Sequence, residues 1–143
     1  MTDEIKQTER QPTFSELLTE WAREEPDICQ VKEGGFGVFI RASFVRLPFR
    51  LEDASIEYFH YLYCSNWIES AIRVQCKKQG WYWTVQSANT EHRPSAHCAR
   101  VTNPQVMPSV VASHRESAGA LLMAYLETLR IWKARKEEPA SKS

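Results

Sequence analysis

Residues 113–137 read SHRESAGALLMAYLETLRIWKARKE, and the rest of the fold is organised around this stretch. Ser113 and Glu116 stand at the spacing of a capping box, in which the serine hydroxyl accepts an orphan amide proton and the glutamate reaches back to the cap. Ala118, Leu121, Leu122, Tyr125, Leu126, Leu129 and Trp132 then recur at three- and four-residue intervals, the pattern of one apolar stripe on a helix. Arg130, Lys133, Arg135 and Lys136 crowd the last turns, where cations suit the negative end of the helix dipole. A stripe this long must lie on a sheet or on other helices.

Just upstream, residues 103–113 contain Pro104 and Pro108 and read as extended and irregular. Before them, residues 96–102 form a strand that pairs back, across a polar loop at 89–94, with the strand WYWTVQSA at 81–88. In that strand Trp81, Trp83 and Val85 share one face, and Tyr82, Thr84 and Gln86 the other. Residues 66–78 read as a helix: Asn66 caps, Glu69 follows three residues on, Ile68, Ala71, Ile72, Gln75 and Cys76 share a face, and Gly80 stops it. The segment 56–64, IEYFHYLYC, is ambiguous. Asp53 could cap a helix through Ile56, Phe59 and Tyr63, but the aromatic content tips it to a strand.

Toward the N-terminus, Phe36, Val38, Ile40, Ala42 and Phe44 alternate along 35–47, which predicts one half-buried strand. Val45, Leu47 and Phe49 fall on the other parity, so a bulge near Phe44 and Val45 is expected, with Arg46 on the outer face beside Arg41. Pro48 ends the strand or marks a sheet edge. Gly34 and Gly35 make a turn to a short strand at 29–33. Residues 13–25 predict a first helix with a Thr13/Glu16 capping box, a Phe14, Leu17, Leu18, Trp21 stripe, and Pro26 as its stop. No internal repeat is visible. The order predicts a single α+β domain over 13–137 between polar tails at 1–12 and 138–143, with one curved, mainly antiparallel sheet and flanking helices, the long C-terminal helix packed on the sheet.

A chain of 143 residues is one domain by size. No apolar run reaches the roughly 20 residues of a membrane helix, and the polar start MTDEIKQTERQ carries no signal-peptide core, which predicts a cytoplasmic protein. Cys29, Cys64, Cys76 and Cys98 form no C-x-x-C pair, so reduced thiols are expected. The net charge of zero is unevenly spread: residues 1–27 hold eight acids against three bases, and the remainder ten against fifteen. The acidic face of the first helix could dock something basic or be a plain solvated face.

Chemistry is harder to find. His92, His97 and Cys98 lie close together, but the spacing is irregular for zinc, and adjacent strand residues point to opposite faces. There is no nucleophile elbow, no P-loop and no dinucleotide fingerprint, so no cofactor is expected. Residues 35–39, GFGVF, lack the leading base and the stacking aromatics of an RNA-recognition strand. What remains is a set of binding candidates: Tyr61, Tyr63, Trp67 and Trp81, with Arg41, Arg46, Arg50 and Arg73. Aromatics and arginines anchor protein interfaces and also stack and neutralise nucleic acid. Protein is the favoured partner and nucleic acid the alternative, for a monomer or a homodimer. A small enzyme using Cys98 with His92 or His97 is the third class.

Residues from about Tyr61 to Trp132 resemble the small phage-encoded domains described as ABA sandwiches. The likeness rests on Asn66-Trp67-Ile68 through Ala71, on Gly80 to Val85, and on Glu116-Ser117-Ala118 through Ala120 and Ala124. It covers about half the chain and leaves the first helix and the 35–47 strand without counterparts. It implies helices flanking a small sheet, and an accessory protein of a phage or mobile element that binds a host macromolecule as an inhibitor or adaptor in the host cytoplasm.

Overall fold

A computed structural model describes residues 12, 14–32, 35–50, 58–88, 96–114 and 116–136. The chain runs α1 (Phe14–Glu24), β1 (Cys29–Lys32), β2 (Gly35–Ile40), β3 (Ser43–Arg50), α2 (Tyr58–Gln79), β4 (Tyr82–Ala88), β5 (Ala96–Asn103), β6 (Val106–His114) and α3 (Ser117–Lys136). It is a small α+β domain, but its strands form two antiparallel three-stranded sheets, β1-β2-β3 and β4-β5-β6, where the sequence predicts one. Each is a simple meander followed by a helix.

Helix α3 packs on β4, β5 and β6 and also touches α2 and α1. It is therefore not the carrier of a single stripe. Ala118 to Leu122, Ala124 to Leu126, Thr128 and Leu129 are all buried, so its first three turns face protein on nearly every side. The small residues Ala118, Gly119, Ala120 and Ala124 are what let neighbouring backbones come close. Helix α2 keeps the expected face, with Ile68, Ala71, Ile72, Gln75 and Cys76 buried and Arg73, Lys77 and Lys78 exposed. It lies against β2, β3, β4 and α3. Helix α1 buries Leu17, Leu18 and Trp21 against α3 and β1.

Four local expectations are corrected. The alternation across 35–47 hides a hairpin: Arg41 and Ala42 turn the chain, and Ile40 pairs with Ser43, Phe39 with Phe44, and Val38 with Val45. The parity switch expected of a bulge is this turn. Arg41 takes φ 61°, a conformation for which glycine is the usual choice at a tight hairpin. The aromatic run is helical, since α2 begins at Tyr58; Asn66 therefore sits inside the helix and does not cap it. Residues 106–114 are a strand despite Pro108, because β6 lies at a sheet edge, where a missing N–H is tolerated. Finally, Ser113 belongs to β6, paired with Cys98, and α3 starts at Ser117. Thr13, the polar loop at 89–94, residues 1–11 and the tail at 138–143 lie outside the described residues.

Gly80, at φ 77°, closes α2. The Trp81 N–H donates to the Cys76 carbonyl (2.8 Å) and the Gly80 N–H to that of Lys77 (3.2 Å), the two bonds of a Schellman motif. Pro48 in β3 and Pro108 in β6 each sit inside a register shift of the third strand of their meander.

Candidate functional site

The described binding candidates are divided between the core and the surface. Trp81 is 4% exposed and packs on Tyr125 with ring centroids 5.8 Å apart, which makes it a core residue. Trp67 is half-buried against the core. Arg73 is exposed but held by Glu69 one helical turn earlier, at 2.8 Å. Arg41 and Arg46 are exposed on the β2–β3 hairpin. The side chains of Tyr61, Tyr63 and Arg50 lie outside the described residues. His97 faces His114 across the β5–β6 pair, and Cys98 is a free, half-buried thiol. His92 lies outside the described residues. Among the described residues no three histidine, cysteine or acidic side chains are arranged to hold a metal.

A polar cluster lies at the end of α1. Glu25 Oε1 accepts the Trp21 indole N–H (3.0 Å) and the Tyr125 hydroxyl (2.8 Å). Trp21 and Tyr125 meet edge to face at 6.2 Å. Burial, and then the nearby Glu25 charge, push the thiols of Cys29 and Cys76 up to about 12 from 9.0. The same two causes raise the Tyr125 hydroxyl well above its ordinary range. Both thiols are fully enclosed and stay protonated, so they are poor nucleophiles. Their role is packing.

A second polar anchor holds the entry to α1. His114 is 4% exposed. Its Nδ1 accepts the Glu116 N–H at the start of α3 (2.9 Å), so Nε2 carries the proton and donates to the Pro12 carbonyl (2.9 Å). A methyl group at Gly119 would meet this ring at 2.4 Å, which is why the helix carries a glycine there. Farther along, Arg130 pairs with Glu20 and Glu127, and Lys133 Nζ reaches Glu24 Oε1 at 3.0 Å. Part of the acidic face of α1 is thereby engaged within the molecule.

Between these anchors lies a cleft of about 350 Å³. Pro12, Glu16, Leu17 and Glu20 form one wall, Met123, Leu126, Glu127 and Arg130 the second, and Val110, Val111 and Ala112 of β6 the third. Val111 is 51% exposed. The floor is apolar and the rim is carboxylate-rich. Comparison of the chain with protein-family models, with curated proteins and with solved structures finds no match. The cleft is thus the argument for function. The sequence hides it, because Pro104 and Pro108 disguise β6 as a loop; the β-branched pair Val110–Val111 followed by Ala112 was the signal available.

Proposed function

We propose that this protein is a binding module whose ligand is another protein, taken into the cleft between α1, α3 and β6. The observation that carries the reading is the combination, in one concavity, of an apolar floor and a strand that is, among the described residues, the edge of its sheet. Exposed apolar groups rimmed by polar ones mark interaction sites. Nothing in the described cleft resembles catalytic machinery: its acids are Glu16, Glu20 and Glu127, and two of these are paired with Arg130. Protein is favoured over nucleic acid because the cleft rim carries three carboxylates, which repel phosphate. The resemblance to phage-encoded domains supports assigning this binding to an inhibitor or adaptor of a host protein.

The test is affinity capture from a nuclease-treated bacterial lysate with the native chain and with Met123→Lys, which puts a charge in the cleft lining, as parallel baits, both checked for equal thermal stability. The expected result is a stoichiometric protein retained by the native chain and depleted on the variant. Retention of nucleic acid that is released at moderate salt, roughly one power of salt per phosphate contact, would overturn the proposal and move attention to Arg41 and Arg46.

A further inference from the structure

We infer that the ligand enters as an extended segment of a partner protein, adding a fourth strand along β6 and turning apolar and basic side chains toward α1 and α3. The inference rests on the protein-binding reading and names how the partner is recognised.

Three observations converge. Among the described residues no strand lies beyond β6, which is the edge strand of its sheet. An edge strand presents unpaired N–H and C=O groups on alternate residues, which is the template for strand addition. Next, three consecutive residues of β6 border the same cleft. Successive strand side chains point to opposite faces, so a space bordered by three consecutive residues reaches the backbone between them. Val110 to Ala112 span about 7 Å at the ordinary rise of a strand. The Pro12–His114 bond lies at the end of β6 that leads into α3 and sets one limit to the cleft.

Charge sets the third constraint. Glu16, Glu20 and Glu127 line the cleft, and Arg130 is the cation among the described residues of its lining. A lysine or arginine of the added strand would lay its stem on Leu17 and Met123 and bring its charge to these carboxylates. The same charges disfavour a second copy of this chain as the occupant. Isologous pairing of two β6 edges would set one acidic rim against the other. A docked helix would leave the open row of backbone groups unused.

The experiment uses the full chain and three fluorescent peptides of about eight residues, an ordinary strand length. One alternates valine and arginine, the second is the same peptide N-methylated on alternate amides, and the third alternates valine and glutamate. Polarisation gives the affinities, and amide chemical shifts locate the site. The valine–arginine peptide is expected to bind and to shift the amides of 109–113. N-methylation should weaken it about tenfold or more, since it removes backbone donors. The valine–glutamate peptide should not bind, and Glu127→Gln should weaken the basic peptide severalfold. Equal binding of the methylated peptide, or shifts elsewhere, would overturn strand addition while leaving the protein-binding reading intact. A dimer in sedimentation that Val111→Lys dissociates would overturn it in favour of self-pairing. If no peptide binds, the inference fails, and the lysate capture decides the wider reading independently.

Discussion

Strands β1–β3 followed by α2, and strands β4–β6 followed by α3, share one strand order and connectivity, and each third strand carries a proline in a register shift. Their helices nevertheless occupy different positions. Helix α2 buries one face and leaves Arg73, Lys77 and Lys78 in water, whereas α3 is enclosed by its own sheet, by α2 and by α1. Equivalent places in two similar units thus acquire different sequences: a conventional amphipathic stripe in α2, and a run of alanine, glycine and leucine in α3. What a helix must look like depends on how many of its sides are covered, and only secondarily on its place in the unit.

The contrast can be broken most directly at two buried or half-buried positions. Leu122→Ala in α3 should cost about 3–4 kcal/mol in urea unfolding, because a fully enclosed site cannot collapse on the void. Val74→Ala on half-covered α2 should cost about 1 kcal/mol by the same measurement. Similar losses at the two sites would mean that α2 is as enclosed as α3.

Next in size is a pair of glycines. An added methyl at Gly119 meets His114, which is buried and bonded through both ring nitrogens. An added methyl at Gly37 meets the Phe44 ring, which is 38% exposed and can swing outward. Gly119→Ala should therefore cost about 2 kcal/mol, as overpacking does, and Gly37→Ala less than about 1. In a His114→Ala background the sign at Gly119 should reverse, since alanine is the better helix former by about 1 kcal/mol. Thermal melts of the double-mutant cycle check this; an unchanged cost would show that the ring is not the obstacle.

A third effect separates the core around Glu25 from the open cleft. Cys29 and Cys76 have folded-state values raised from 9.0 to about 12, so their stabilising contribution is complete below pH 9. Between pH 9 and 12 the unfolded thiols ionise while the buried ones do not, and stability falls by about 1.4 kcal/mol per pH unit for each thiol. Urea titrations across this range should show the decline, and Cys76→Ala should make it shallower. The smallest effect belongs to the first meander: Arg41→Gly removes a positive-φ side chain and should stabilise the hairpin by about 0.5–1 kcal/mol.

The helices and most strands were legible in the sequence because the apolar residues of most elements recur at the element's own period, even though the burial of α3 extends beyond its stripe. Leu17, Leu18 and Trp21 marked α1, Gly80 marked the end of α2, and the alternation from Trp81 to Gln86 marked β4. The misreadings have one physical origin, long-range context overriding local signal. Alternation from Phe36 to Phe44 passed through a turn because Arg41 tolerates a left-handed conformation there. The aromatics after Tyr58 entered a helix because α2 has a sheet and α3 to rest on. The cleft was not legible, because one of its walls, 12–20, lies far in the chain from the other two and its strand was masked by two prolines. Of the binding candidates, Trp81 was needed by the core, and Arg73 was matched by Glu69.

The partners of α1 lie about a hundred residues downstream of it: Tyr125 for Glu25, His114 for Pro12 and Lys133 for Glu24. During synthesis the ribosome releases α1 first and the helix that covers it last. At about 5–20 residues per second, Leu17, Leu18 and Trp21 wait on the order of 10 s without their main packing surface. The nascent chain is therefore a ready client for chaperones that shield apolar helices, and trimming the last turns of α3 should lower soluble yield in the cell more than it lowers the stability of whatever protein survives.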